Sequence, residues 1–284
     1  MRNIVQDGAK KVNPRAGKCA IIPLVLHTRE GENLNESTHT QSRRKRRIGW
    51  LIFAAVLLAA VVGVWLYLSD YYRADKTAVA ALQDTAPEIE LRQSDTRIDF
   101  IPRAPQAGLI FYPGGKVSFE AYAPLMQACA ERGILCVLLD MPGNLAVLDP
   151  NAADGIAASY PEIDRWYIGG HSLGGVMAAS YVSKHADAFA GLVLLGAYST
   201  ADLAQTDLRV LSVYGSEDGV MDRERYDSCR ANLPSGTTEI VIQGGCHAYF
   251  GSYGAQDGDG TPTITNEEQI TRTADAIADL AASK

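Results

Sequence analysis

The 284-residue chain is 47% hydrophobic and 21% charged, which excludes a fully disordered or fibrous protein and suits one or two folded domains. Its net charge of -7 conceals a split: residues 1–47 carry 11 Lys and Arg against 4 Asp and Glu, and everything beyond carries 15 against 29. So acidic a main part excludes nucleic acid as a partner of the folded region.

Taken from the N-terminus, residues 1–42 are polar and without periodicity, and residues 1–47 read as a basic, disordered tail. The tail ends in the run Arg43-Arg44-Lys45-Arg46-Arg47. Residues 48–68 then hold no charge over 21 positions, enough for a helix to cross a hydrocarbon core, with Trp50, Trp65 and Tyr67 near the two interfaces. The cations abutting its N-terminal end predict a cytoplasmic N-terminus and an extracytoplasmic main domain. They read as a topology signal and headgroup contact rather than a nucleic-acid site. Ala78-Val79-Ala80 resembles a signal-peptidase site, but it lies well past an apolar core already longer than an h-region, so the segment reads as an uncleaved signal anchor. Residues 69–92 follow as a juxtamembrane spacer, and residues 93–284 as a single domain.

Within that domain strands and helices alternate. Gly108 to Tyr112 is a strand-length apolar run ending in the turn Pro113-Gly114-Gly115-Lys116, and a helix follows from about Ala121 with Gly133 as its stop. Ile134 to Leu139 is a second such run. Residues 151–159 predict a short helix, Trp166 to Ile168 a strand and Leu173 to His185 a helix. Gly191 to Leu195 and Val210 to Tyr214 are buried-strand patterns, while Thr238 to Gln243 alternates as a strand nearer the sheet edge does. Thr265 with Glu268 forms a capping box for a last helix whose apolar stripe is Ile270, Ala274, Ile277 and Ala281. Strands apolar on both faces, alternating with helices, predict a doubly wound, mostly parallel α/β sheet.

The chemistry centres on Gly170-His171-Ser172-Leu173-Gly174, a Gly-x-Ser-x-Gly pattern set between a strand and a helix. On such a turn the serine is held exposed, and glycines two before and two after allow the tight backbone. An acid and then a histidine should follow, each just after a strand. Glu217 and Asp218 both meet the first condition. His247 meets the second by elimination, because His27 and His39 lie in the tail, His171 neighbours the serine on the turn and His185 ends a helix.

From about residue 107 to 280 the sequence resembles compact bacterial α/β-hydrolases of the dienelactone-hydrolase-like type, family 5 of that fold. The resemblance rests on Tyr112-Pro113-Gly114-Gly115, Asn144-Leu145-Ala146-Val147, Gly170 to Gly175, the Asp218 turn, and His247 with Phe250-Gly251-Ser252-Tyr253-Gly254. It implies Ser172 as nucleophile, Asp218 as acid and His247 as base. Cys246 departs from it, standing where a polar residue such as Asn is expected. The expected oxyanion donors are the Leu173 amide and an amide of the Gly115-Lys116 turn. The short connection between Tyr198 and Arg209 leaves no room for a cap domain. The site should therefore be open and walled by Gly114, Asn144, Tyr198, Tyr249 and Phe250, although aromatics after the histidine serve equally as packing.

No cofactor is expected, and no Cys/His spacing suggests zinc. Asp257-Gly258-Asp259-Gly260 lacks the full ligand loop of a calcium site and reads as a turn. Cys129, Cys136, Cys229 and Cys246 form an even set in the exported part that allows three pairings; Cys229–Cys246 is preferred because it would brace the histidine loop, and the alternative is four buried thiols in an unoxidised domain. The reading is a membrane-anchored serine hydrolase of carboxylic esters or related acyl compounds, thioesters and lactones included. Its partners are the substrate and the bilayer, with no obligate protein partner. The alternative is a non-catalytic binding protein that kept the fold.

Overall fold

The computed structural model describes residues 33–283, and the chain divides into two units, one ending at Ala60 and the other running from Val61. Helix α1 (Asn33–Ser69) begins well before the apolar stretch and includes the basic run. Residues 33–47 are therefore helical instead of disordered: a helix nucleated in the apolar segment propagates cheaply back through Arg, Lys, Gln and Glu. Residues 1–32 of the expected tail lie outside the described residues. Trp50 is 71% and Trp65 64% exposed, so α1 is no core helix of a folded domain. Over Arg43–Ser69 it is long and apolar enough to cross a membrane.

The second unit is built on an eight-stranded sheet in the order β1-β2-β4-β3-β5-β6-β7-β8. β1 (Ile89–Gln93) and β2 (Arg97–Pro102) are antiparallel and reach β4 through β2. β3 (Ala107–Tyr112), β4 (Ile134–Leu139), β5 (Trp166–His171), β6 (Gly191–Leu195), β7 (Arg209–Gly215) and β8 (Thr238–Ile242) are parallel. The chain steps from β3 outward to β4 and returns to the other side for β5, so β3 marks the switch point where such sheets place their ligands.

The pleat sends alternate side chains to opposite faces. Leu109, Phe111, Cys136 and Leu138 meet α3 (Ala123–Glu131) and α6 (Asn266–Ala282) on one side. Ile110, Val137, Ile168, Leu192 and Leu194 meet α4 (Leu173–Val182) on the other. The α6 stripe is buried throughout, and the Thr265 hydroxyl accepts the Glu268 amide at 3.1 Å, as the capping box predicts. α3 ends before Gly133, whose φ of 82° is a left-handed stop.

Three stretches differ from the sequence expectation. Residues 69–92, expected as a spacer, carry α2 (Lys76–Gln83) and β1: the Asp75 carboxylate caps α2 through the Thr77 and Ala78 amides, and Ala78 is fully buried. Residues 151–159 form turns and one 3-10 turn at Ala157–Ser159, because Gly155 at φ 73° interrupts any α-helix. A short helix, α5 (Arg223–Cys229), follows β7. Residues 196–208 between β6 and β7 hold only a loop, so no cap is inserted there.

Candidate active site

The elbow forms because backbone packs on backbone around it. A Cβ at Gly170 would lie 2.5 Å from the Tyr112 carbonyl oxygen and 2.6 Å from the Gly174 carbonyl carbon, and one at Gly174 would run into the Tyr112 and Pro113 carbonyls. Glycine at both positions is thus a requirement of close approach. Between them Ser172 adopts φ 52°, ψ -124°, an uncommon conformation for a residue with a Cβ, and it stands at the start of α4. The Ser172 amide donates to the Leu195 carbonyl at 2.9 Å, which fixes the elbow to the end of β6.

One residue on, Gly196 (φ 50°) backs Asp218 and His247: a Cβ there would sit 2.9 Å from His247 Nδ1 and 3.1 Å from Asp218 Oδ2. Ser172, Asp218 and His247 therefore gather at the carboxyl ends of β5, β7 and β8, around the end of β6. His247 Nδ1 is 2.8 Å from Asp218 Oδ2, with both side chains buried. A carboxylate only accepts, so Nδ1 is the donor, and in the neutral ring the lone pair is then on Nε2. That Nε2 is buried without a partner among the described residues. Asp218 is itself fixed, since its Oδ1 accepts the Val220 and Met221 amides at 3.0 and 2.8 Å. Glu217, the other acid in this turn, bonds through its side chain only to the Ser216 hydroxyl among the described residues.

Two residues that sequence reasoning missed hold this arrangement. Asp259, in the turn first weighed for calcium, accepts the His247 and Gly219 amides on Oδ1, each at 3.1 Å, and the Ala248 amide on Oδ2 at 2.8 Å. It ties the acid loop to the base loop. Burial raises the Asp259 carboxyl, but the Ala248, Gly219 and His247 amides outweigh burial and hold it below the usual carboxylate value.

The second is Tyr122, fully buried, whose oxygen accepts the Gly114 amide at 3.0 Å and lies 2.8 Å from His171 Nδ1. The phenol oxygen thus takes the Gly114 amide and shares a second hydrogen bond with the His171 ring. His171 is thus a buried support. Its ring centroid is 4.4 Å from that of His247, and burial, with the neighbouring His247, lowers its pKa well below 6.5 and keeps it neutral.

The expected oxyanion and wall residues divide. The Lys116 amide donates to the Asn144 carbonyl at 2.8 Å and is not free to meet a substrate, which corrects the expectation for Lys116. The Gly115 and Leu173 amides have no partner among the described residues, and a Cβ on Gly115 would stand 2.9 Å from Leu173 Cδ2, so the two lie side by side. Gly114 is no wall, because a Cβ there would meet Tyr122 Oη at 2.6 Å and His171 Nδ1 at 2.9 Å on the buried side. Phe250, expected as a wall, is fully buried and packs 5.5 Å from the His171 ring. Tyr198 packs with Tyr214, Met221 and Tyr226 beside the acid loop, and half-buried Tyr249 packs against the core of the α3/α6 side. Asn144, at φ 56°, contributes its carbonyl to the Gly115-Lys116 turn. A cavity of about 530 Å³ opens beside Asn144, but Asp95, Asp140, Asp149 and Asp154 line it, which ill suits an acyl chain.

Cys129, Cys136, Cys229 and Cys246 are free thiols, so the Cys229–Cys246 bridge is absent. Gln269 of α6 braces the histidine loop in its place, accepting the Cys246 amide at 3.0 Å and donating to the Cys246 carbonyl at 2.8 Å. Burial pushes the Cys246 thiol up to about 12, leaving it unreactive. Among the described residues no His, Cys, Asp and Glu group could hold a metal ion.

Several solved structures share this fold. A bacterial membrane phospholipase A is 12% identical, with a TM-score of 0.53 over 83% of this chain and 100% of its own. Est1E from Butyrivibrio proteoclasticus is 12% identical, with a TM-score of 0.51 over 69% and 100%. A monoacylglycerol lipase from Paleococcus ferrophilus is 14% identical, with a TM-score of 0.50 over 67% and 99%. No curated protein sequence matches this one. Residues 108–271 match the model of the alpha/beta hydrolase family, a span that takes in the elbow, the acid turn and the histidine loop, and the chain belongs to that family.

Proposed function

We propose that this hydrolase is a membrane-anchored serine hydrolase that cleaves carboxylic esters or related acyl compounds, thioesters and lactones included. The observation that carries the reading is the His247–Asp218 hydrogen bond of 2.8 Å, with His247 Nε2 unpartnered among the described residues at the carboxyl end of the sheet, where the strained Ser172 also stands. His247 takes the Ser172 proton as Oγ attacks the acyl carbon, and Asp218 holds the tautomer and stabilises the imidazolium. The Gly115 and Leu173 amides receive the developing oxyanion, the second at the N-terminus of α4 where the helix dipole adds to it. His247 then protonates the leaving group, and water releases the acyl group from Ser172. Acyl-ester chemistry is also in the names of two structural neighbours, a phospholipase A and a monoacylglycerol lipase.

The anchor is α1, with its basic end in the cytoplasm and the hydrolase domain outside, as the cations before the apolar span favour. A fluorophosphonate probe and a short nitrophenyl ester test the nucleophile. The wild type should be labelled and active and Ser172→Ala neither; no Ser172-dependent signal in either assay refutes the enzyme.

A further inference from the structure

The turn that carries the proposed oxyanion donor is bonded to the chain where it leaves α1. The Tyr72 amide donates to the Lys116 carbonyl and the Ser118 amide to the Tyr72 carbonyl, each at 2.8 Å, a parallel bridge of Tyr72 with Val117. Lys116 Nζ lies 2.7 Å from Asp70 and 4.8 Å from the centre of the Tyr67 ring. Next to Asn144, whose carbonyl takes the Lys116 amide, a Cβ on Gly143 would lie 3.0 Å from Leu68 Cδ2. Residues 67–72 thus touch both the Gly115-Lys116 turn, which packs on Leu173, and the Gly143-Asn144 loop bonded to it.

The apolar span 48–68 is about 31 Å long as a helix, close to the thickness of a hydrocarbon core. Ser69 and Asp70 then enter the headgroup layer, about 5–7 Å deep on each side. Gly115 is one Cα step, about 3.8 Å, from Lys116. A second feature adds to this: outside α1, Val147 and Leu148 are the most exposed large apolar side chains among the described residues, 47% and 54%. They directly follow the Asn144 loop that holds the oxyanion turn, where water is a poor neighbour and lipid a good one.

We infer that the active site opens into the lipid headgroup layer and takes its substrates from the bilayer: acyl esters that partition into membranes, with Val147 and Leu148 dipping into the interface beside the mouth. This rests on the serine-hydrolase and anchor readings above. The reaction is ordinary hydrolysis, in which the acyl carbon–oxygen bond breaks, water supplies OH to the acyl group and H to the alcohol, and a fatty acid leaves.

The test uses the full chain reconstituted in phosphatidylcholine vesicles, with mono-oleoylglycerol in the bilayer as one substrate and water-soluble nitrophenyl acetate as the other. Val147→Ser combined with Leu148→Ser should lower fatty-acid release from the bilayer ester about tenfold or more. It should leave nitrophenyl acetate hydrolysis unchanged, which also shows that the variant folds. Equal release by wild type and variant, or no cleavage of the bilayer ester by a wild type active on nitrophenyl acetate, overturns the inference while the serine-hydrolase reading stands. Nitrophenyl acetate hydrolysis that survives Ser172→Ala overturns the reading beneath it, and the inference falls with it.

Discussion

Removing the Tyr122 hydroxyl, as Tyr122→Phe, tests whether a buried side chain sets the turn proposed to hold the oxyanion. The ring keeps its packing against Phe111 and Tyr253, so no cavity forms. Two polar atoms lose their partner: the Gly114 amide, bonded at 3.0 Å, and His171 Nδ1, at 2.8 Å. Burial holds the Tyr122 phenol protonated, so a neutral hydrogen-bond chain is lost and no charge changes. Each stranded buried group costs about 1–3 kcal/mol, giving a loss of about 2–6 kcal/mol against a usual stability of about 5–15 kcal/mol. Catalysis suffers through geometry: with Gly114 released, the adjacent Gly115 donor shifts, and a displacement of about 1 Å costs about a hundredfold in rate. The expected result with a short nitrophenyl ester is therefore kcat reduced by one to two orders of magnitude, with KM within about twofold. Urea unfolding supplies the stability. A variant destabilised as expected but with kcat within about twofold of wild type refutes the positioning role, and a loss below about 0.5 kcal/mol refutes the buried chain itself.

Asp259→Asn replaces one carboxylate oxygen with a donor that faces backbone amides; it should cost about 1.5–3 kcal/mol in urea unfolding and lower kcat more than it raises KM, because His247 and Ala248 lose their anchor. The His171 pKa lies below its unfolded value near 6.5, so the unfolded chain binds a proton that the folded chain refuses. Its stabilisation is complete above that value and declines, by up to about 1.4 kcal/mol per pH unit, as pH falls toward the folded value. Urea midpoints measured across that range should show a shallower slope for His171→Gln than for wild type, and equal slopes would contradict a buried neutral His171. Mass spectrometry of alkylated native protein should find Cys229 modified before Cys129, Cys136 and Cys246, and reduction beforehand should change nothing, since all four are free.

What the sequence made legible follows from how far each signal travels along the chain. β4 and β6 have the predicted bounds because each is an unbroken apolar run buried on both faces. β1 and β2 escaped because Ile89-Glu-Leu-Arg-Gln is mostly exposed, and β2 carries the buried Asp99, which Arg97 pairs at 3.1 Å and Tyr160 hydrogen-bonds. A charge whose partner lies 61 residues away hides a strand from any local pattern. Residues 69–92 misled in the same way: beside a long apolar span they look like a tether, and only the contacts of Tyr72, Asp75 and Ala78 make them part of the domain.

The candidate site divides along the same line. Ser172, Asp218 and His247 could be proposed because each follows its strand directly, in a fixed order along the chain. Their supports act across the chain. Tyr122 reaches His171 49 residues on, and Asp259 reaches back 40 residues to Gly219 and 12 to His247. Asp257-Gly258-Asp259-Gly260 was rightly a turn by its residues, yet a turn predicts nothing about what its carboxylate meets. That is decided by β8 lying beside β7, which puts the loop after His247 against the loop after Asp218 and leaves three amides pointing into one gap. Unpaired, those amides would each cost about 1–3 kcal/mol, so the fold requires an acceptor there, and the carboxylate that meets this need also fixes the backbone of the proposed base.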